Sequence, residues 1–228
     1  MPTNITSVAG WVTPQTVSTG DAISSTVWNN LVGDVAMLYG KPWFMAFYTT
    51  DGTTSPFSAS TNAHAGTYNF FNTASTGGTI NTLQNSPGSG LGTFSISGGV
   101  VSLPTSSGTP VPGLYRITVQ GTTASNSTAF QRAIIRTQNT SGTILSYHPG
   151  QWSQSSSSVL PTVTASAIIP VGYGTWAACT GFYVTGGTTS GTPNILANDS
   201  GSYGPSSTPP VYNTFVMVEY LGTSTGTF

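Results

Sequence analysis

From Trp43 onward the chain is a succession of short β-branched or aromatic segments, each closed off by Gly, Pro, Ser or Asn. The clearest are WFMAFYTT, TYNFFNTA, GTFSISGGVVSLP, GLYRITVQGT, AFQRAIIRTQ, TILSYH, VTASAIIPV, TWAACTGFYVT and NTFVMVEYLG. They cover 43–50, 67–74, 92–104, 113–122, 129–138, 143–148, 163–171, 175–185 and 213–222. Segments of this length and make-up suit a pleated, half-buried surface. So many of them, with so little helix, predict an all-β jelly-roll sandwich. The stretches 51–66 and 186–210 are rich in Ser, Thr, Gly and Pro and are expected to be surface loops.

Helical periodicity is confined to one place, ahead of the strands. Trp28, Leu31, Val32, Val35, Leu38 and Tyr39 fall at i, i+3, i+4, i+7, i+10 and i+11, which is one apolar stripe. Ser24 or Ser25 can cap the start, Gly40 fits the position after the last turn, and Pro42 stops it. A short N-terminal amphipathic helix is therefore expected. Trp28, Leu31, Val35 and Leu38 also read as an a/d seam over two heptads, so the helix packs either on its own domain or against copies of itself.

Charge is scarce. The 228 residues hold four Lys or Arg and five Asp or Glu, 4% of the chain against about a quarter in an ordinary globular domain. Four cations cannot neutralise many phosphates, so nucleic acid and anionic lipid are not expected partners. No apolar run is long enough for membrane insertion, and MPTNITSVAGWV lacks the basic and apolar regions of a secretory signal, so synthesis in the cytoplasm is expected. The one cysteine, Cys179, excludes an intramolecular disulfide and reads as a small core residue on a strand.

Catalysis has little to work with. GTSTG at 222–226 fits a nucleophile pattern, but that pattern works only as a strand-to-helix elbow with its acid and His downstream, and two residues follow it, so it is read as a chance match. His64 and His148 lack metal-ligand spacing, and Asp21, Asp34, Asp51, Asp199 and Glu219 are scattered singly. Lys41 precedes Pro42 and lies outside any phosphate loop. No enzyme activity, catalytic residue, metal or cofactor is expected.

Three of the four cations lie in one apolar stretch, 113–136. Alternation along GLYRITVQ puts Tyr115, Ile117 and Val119 on one face and Arg116 on the other, while Phe130, Arg132, Ile134 and Arg136 share a face of the next strand. Glu219, on the face of Phe215, Met217 and Leu221, is the one carboxylate in a comparable setting. Two readings stand. Either each arginine extends its charged tip to solvent, or Arg116, Arg132, Arg136 and Glu219 form buried or interface charge.

The run GTFSI, VVSLP, PGLYRITV, AFQRAIIRTQNTSGTIL and NTFVMVEYLG resembles the jelly-roll head shared by the complement globular-head and tumour-necrosis-factor families. Phe94, Pro104, Gly113, Tyr115, Phe215, Leu221 and Gly222 are the matching residues. Val171-Gly172-Tyr173-Gly174 stands where those families usually carry a glycine-aspartate turn, so no family metal site is implied. The preceding GWVTPQTVSTGDAISSTVWNNLVGDVAMLYGKP is similar to the opening of many tailed-bacteriophage virion proteins, with Trp11, Val12, Thr13, Asn29 and Asp34 in the corresponding places.

Together the resemblances imply a homotrimeric structural protein displayed on the virion surface. Residues 1–41 would be an arm and helix for attachment and trimerisation, carrying Trp11, Trp28, Leu31, Val32, Val35, Leu38 and Tyr39, and residues 42–228 the head. Tail fibre or minor tail protein and capsid decoration protein are the two placements, with other virion proteins and a host-surface glycan as further partners. A free lectin-like carbohydrate-binding module is the alternative.

Overall fold

The computed structural model describes residues 41–53, 57–59, 69–85, 92–106, 108–124, 129–154, 161–191, 193–197 and 214–222. The expected N-terminal helix, with Trp11 and its stripe of Trp28, Leu31, Val32, Val35, Leu38 and Tyr39, lies outside them, as does His64. The strands are β1 (Trp43–Thr50), β2 (Phe57–Ala59), β3 (Thr79–Asn85), β4 (Ser95–Ser97), β5 (Val100–Ser102), β6 (Thr105–Ser106), β7 (Thr109–Pro110) and β8 (Gly113–Ala124). They continue as β9 (Phe130–Gln138), β10 (Ile144–Pro149), β11 (Ser153–Gln154), β12 (Thr162–Val171), β13 (Gly181–Thr188), β14 (Asn194–Leu196) and β15 (Phe215–Gly222).

Two sheets face each other. The first runs β12-β8-β15-β1-β3, with β14 also on β8; the second runs β10-β9-β13-β5-β4, with β11 on β9 and β2 on β13. Apart from the parallel β2–β13 pair, the ladders in both are antiparallel. The chain is thus an all-β sandwich, as the segment pattern predicts.

Alternation decides what fills the space between the sheets. Tyr115, Ile117 and Val119 of β8 and Val163, Ala165, Ala167 and Ile169 of β12 meet Ala133 and Ile135 of β9 and Phe182 and Val184 of β13. The intervening Arg116, Thr164, Ser166 and Ile168 are exposed. Aromatic rings knit one end of this core: Phe44–Phe94 at 5.8 Å, Phe94–Tyr115 edge-on at 6.3 Å and Tyr115–Tyr220 at 5.1 Å between centroids. Buried phenols need acceptors. The Tyr115 hydroxyl donates to the Val111 carbonyl at 2.8 Å and that of Tyr220 to the Pro112 carbonyl at 3.2 Å. Burial pushes the Tyr220 phenol up to about 12 and Tyr115 further in the same direction, so both remain donors.

Four sequence expectations are corrected. Of the expected strand 67–74, the described residues 69–74 form none: Asn69 Oδ1 accepts from the Phe71 amide at 3.0 Å, and the chain turns into a single helical turn, Thr73–Thr76, with Phe70 and Phe71 buried as plugs. Residues 92–104 are a hairpin, β4 and β5, because Gly98 and Gly99 take φ of 54° and 76° and supply a two-residue turn. Residues 175–185 begin with the 3₁₀ turn Gly174–Trp176, so the strand starts only at Gly181 and Cys179 is a core residue ahead of it. The expected loops 51–66 and 186–210 contain β2 and β14, and Asp51 Oδ1 accepts from the Ala197 amide at 2.7 Å, tying them together.

Candidate functional site

The four charges singled out in the sequence divide between the two outer surfaces. Arg116 and Glu219 lie directly opposite on β8 and β15, with Nη1 3.5 Å from Oε2. Their side chains are 47% and 35% exposed, so the pair is a surface one and contributes about 1 kcal/mol at most. The same outer face carries Trp43 and Met45 on β1, Phe215 and Met217 on β15, and Leu83 on β3, with Ile168 facing Arg116 from β12.

Arg132 and Arg136 do not share Glu219. They stand on β9 with Ile134 between them, turned away from the core residues Ala133 and Ile135, on the outer face of the second sheet. Arg136 is 7% exposed and lies between Tyr147 of β10 and Tyr183 of β13, both paired with it in register, at 5.2 and 5.8 Å from the ring centroids. The guanidinium of Arg132 lies 4.5 Å from the centre of the Trp152 ring, and Gly187 opposite it adds no side chain to that row. Both flat cations lie over aromatic faces. Phe130, Tyr147 and Trp152 remain 40–47% exposed around them.

Sequence spacing gives little warning of this cluster. Tyr147 and Trp152 are five residues apart, but antiparallel pairing of β10 and β11 with β9 places them beside two arginines that are themselves four apart. The period-2 pattern of AFQRAIIR gave the shared face; the neighbours came from topology.

The inner face of β10 holds a second polar group. Ser146 Oγ lies 2.5 Å from Thr137 Oγ1, 2.8 Å from His148 Nε2 and 3.0 Å from Trp176 Nε1. Indole N–H only donates, so Ser146 accepts from Trp176 and its one proton serves either Thr137 or His148. The His148 and Trp176 rings stack at 6.4 Å. A serine so engaged is a structural link between sheet and turn. Cys179, buried nearby in sequence, has its thiol pushed up to about 11 by burial and stays protonated. Among the described residues no three of His, Cys, Asp and Glu gather into a metal-binding group.

Burial holds the His148 imidazole below its ordinary value. Its folded pKa is depressed, so the stability tied to it is full above about pH 6.5 and is lost as the pH falls toward the folded value. The melting temperature should therefore drop from about pH 7 to 5, and His148→Gln should flatten that drop. Parallel thermal melts across the range check it; equal slopes for both proteins would remove His148 from the effect.

At the edge where β10 and β12 meet, Thr118, Gln120, Thr164 and Ser166 line one side of a groove of about 500 Å³ whose other wall is Pro149-Gly150-Gln151. It presents hydroxyls and amides and no charge. Trp152 follows that wall directly in the chain.

Compared with protein-family models, curated proteins and solved structures, the chain matches none. What the site defines stands on its own geometry.

Proposed function

We propose that the chain is a non-enzymatic structural protein on the exterior of a tailed-phage virion, assembled as a homotrimer of jelly-roll heads. The observation that carries the assembly is the outer face of the first sheet. Half-buried Trp43, Met45, Phe215 and Met217, with Leu83 and Ile168 49% and 55% exposed, surround the Arg116–Glu219 pair. A face this apolar on a chain this poor in charge suits contact with copies of itself, where charged surfaces would need desolvation.

Strand order supports the jelly roll. Taken in chain order, β1, β5, β8, β9, β10, β12, β13 and β15 lie 1-8-3-6 in the first sheet and 2-7-4-5 in the second, as two interleaved Greek keys produce. The virion setting rests on the resemblance of the segment 10–42, which would anchor the heads as a tail fibre, a minor tail protein or a capsid decoration.

Light scattering on the purified protein should give about three times the 23.4 kDa chain mass at micromolar concentration; a sharp monomer ends the trimer reading. Negative-stain images of particles labelled against this protein should show it on the capsid or the tail, and absence from both ends the virion reading. A second reading, a lectin-like carbohydrate-binding module, is favoured by Trp152, Tyr147 and Phe130 standing exposed on one sheet face.

A further inference from the structure

We propose that the surface around Arg132 and Trp152 binds a carboxylate-bearing saccharide. The inference deepens the carbohydrate-binding reading and rests on it.

Three observations converge. The Arg132 guanidinium has an aromatic neighbour and no hydrogen bond or ion pair to a carboxylate: of the described carboxylates, Glu219 is engaged by Arg116 and Asp51 by the Ala197 amide. Its Nε is enclosed and without an acceptor, whereas neither Nη is in that position, so the terminal edge of the fork is the part left to meet a ligand. Two parallel N–H groups in one plane match the two oxygens of a carboxylate. Trp152 supplies the second element. Arg132 lies over its ring, yet the residue is 40% exposed, which leaves aromatic surface for the C–H face of a sugar.

The third element is the neighbouring groove. Gln120, Thr118, Thr164 and Ser166, on the outer face of the first sheet, and Gln151 offer neutral donors and acceptors of the kind sugar hydroxyls pair with, and the Pro149-Gly150-Gln151 wall carries the groove round the edge to Trp152. An acidic peptide would use the guanidinium, but the exposed Trp152 ring favours the C–H face of a sugar over a row of aspartate side chains. Arg136, about 13 Å along the strand from Arg132 and held between Tyr147 and Tyr183, fixes the shape of the same face.

Calorimetric titration of the full-length protein with a galacturonic acid trimer, a galactose trimer and a tri-aspartate peptide tests this. The acidic trimer should bind, the neutral trimer about fivefold or more weaker, and the peptide negligibly. Arg132→Gln should bring the acidic trimer down to the neutral one, a loss of roughly tenfold. Arg132→Lys, which keeps charge without the planar fork, should fall between, and Trp152→Ala should weaken both sugars. Thermal melts establish that each variant is folded, and the lysine variant carries the test if the glutamine one is not.

Unchanged affinity of a folded Arg132→Gln or Arg132→Lys protein for the acidic trimer would overturn the proposal, as would tri-aspartate binding equally well. Equal binding of the two sugars would overturn it too while leaving the carbohydrate-binding reading intact. No binding of either sugar would overturn both.

Discussion

Gly150→Ala is expected to cost about 3 kcal/mol or more of stability, or to prevent folding. A Cβ on Gly150 would stand 1.7 Å from the Thr164 carbonyl oxygen and 3.1 Å from the Ala165 Cα, all backbone atoms that cannot rotate aside. Its own amide donates to the Ala133 carbonyl at 2.8 Å, so the segment is held on one side by β9 and pressed on the other against β12. Adding one methyl group must part the two sheets at this edge or break that bond. Gly142→Ala is the control: its φ of 76° makes a side chain strained, but nothing lies within 4 Å of the new atom, so about 1 kcal/mol is expected. Urea unfolding of both variants measures the difference, and a loss at Gly150 no larger than at Gly142 would show that the edge can open freely.

Arg136→Ala should be the other large loss, about 2–4 kcal/mol, while Arg116→Ala should stay within about 1 kcal/mol. The contrast follows from burial. Arg136 is 7% exposed and fills the space between two tyrosine rings, so truncation removes both stacking contacts and leaves a gap, whereas Arg116 gives up one exposed ion pair. Arg136→Lys should recover part of the loss, because an ammonium keeps the charge without the plane. Glu219→Gln should couple weakly to Arg116→Ala and add independently to Arg136→Ala, since the two lie on opposite sheets. Melting temperatures across that double-mutant cycle check it; strong coupling of Arg136 to Glu219 would contradict the geometry.

What could be read from the residues alone was the part governed by period-2 burial. Tyr115, Ile117 and Val119 point inward as alternation requires, and Glu219 stood out as the one carboxylate on a strongly patterned strand, but which arginine faces it was set by the β8–β15 register. Strand β3 was not legible. TINTLQN lies at the sheet edge, its Asn81, Thr82, Leu83 and Gln84 all exposed, so burial leaves no imprint on its composition. The segment 67–74 failed in the opposite way. Phe70 and Phe71 are both buried and adjacent, which a strand packed on one face does not allow, and the Asn69 turn that makes it possible competes locally with strand pairing. The aromatic partners of Arg132 and Arg136 depended on register across three strands, which no single segment carries.

The pairing of Trp43 with Glu219 and of Glu219 with Arg116 puts β15, the last of the described strands, between β1 and β8 in the middle of its sheet. On a ribosome, that slot stays empty until the chain has been made through Gly222. Strands β1 and β8 meanwhile each present an unpaired apolar edge, the state most prone to pairing with a neighbouring nascent chain. Folding that waits on such distant pairings is slow. Yield in a host cell should then depend on the temperature and rate of synthesis more than on the stability of the finished sandwich.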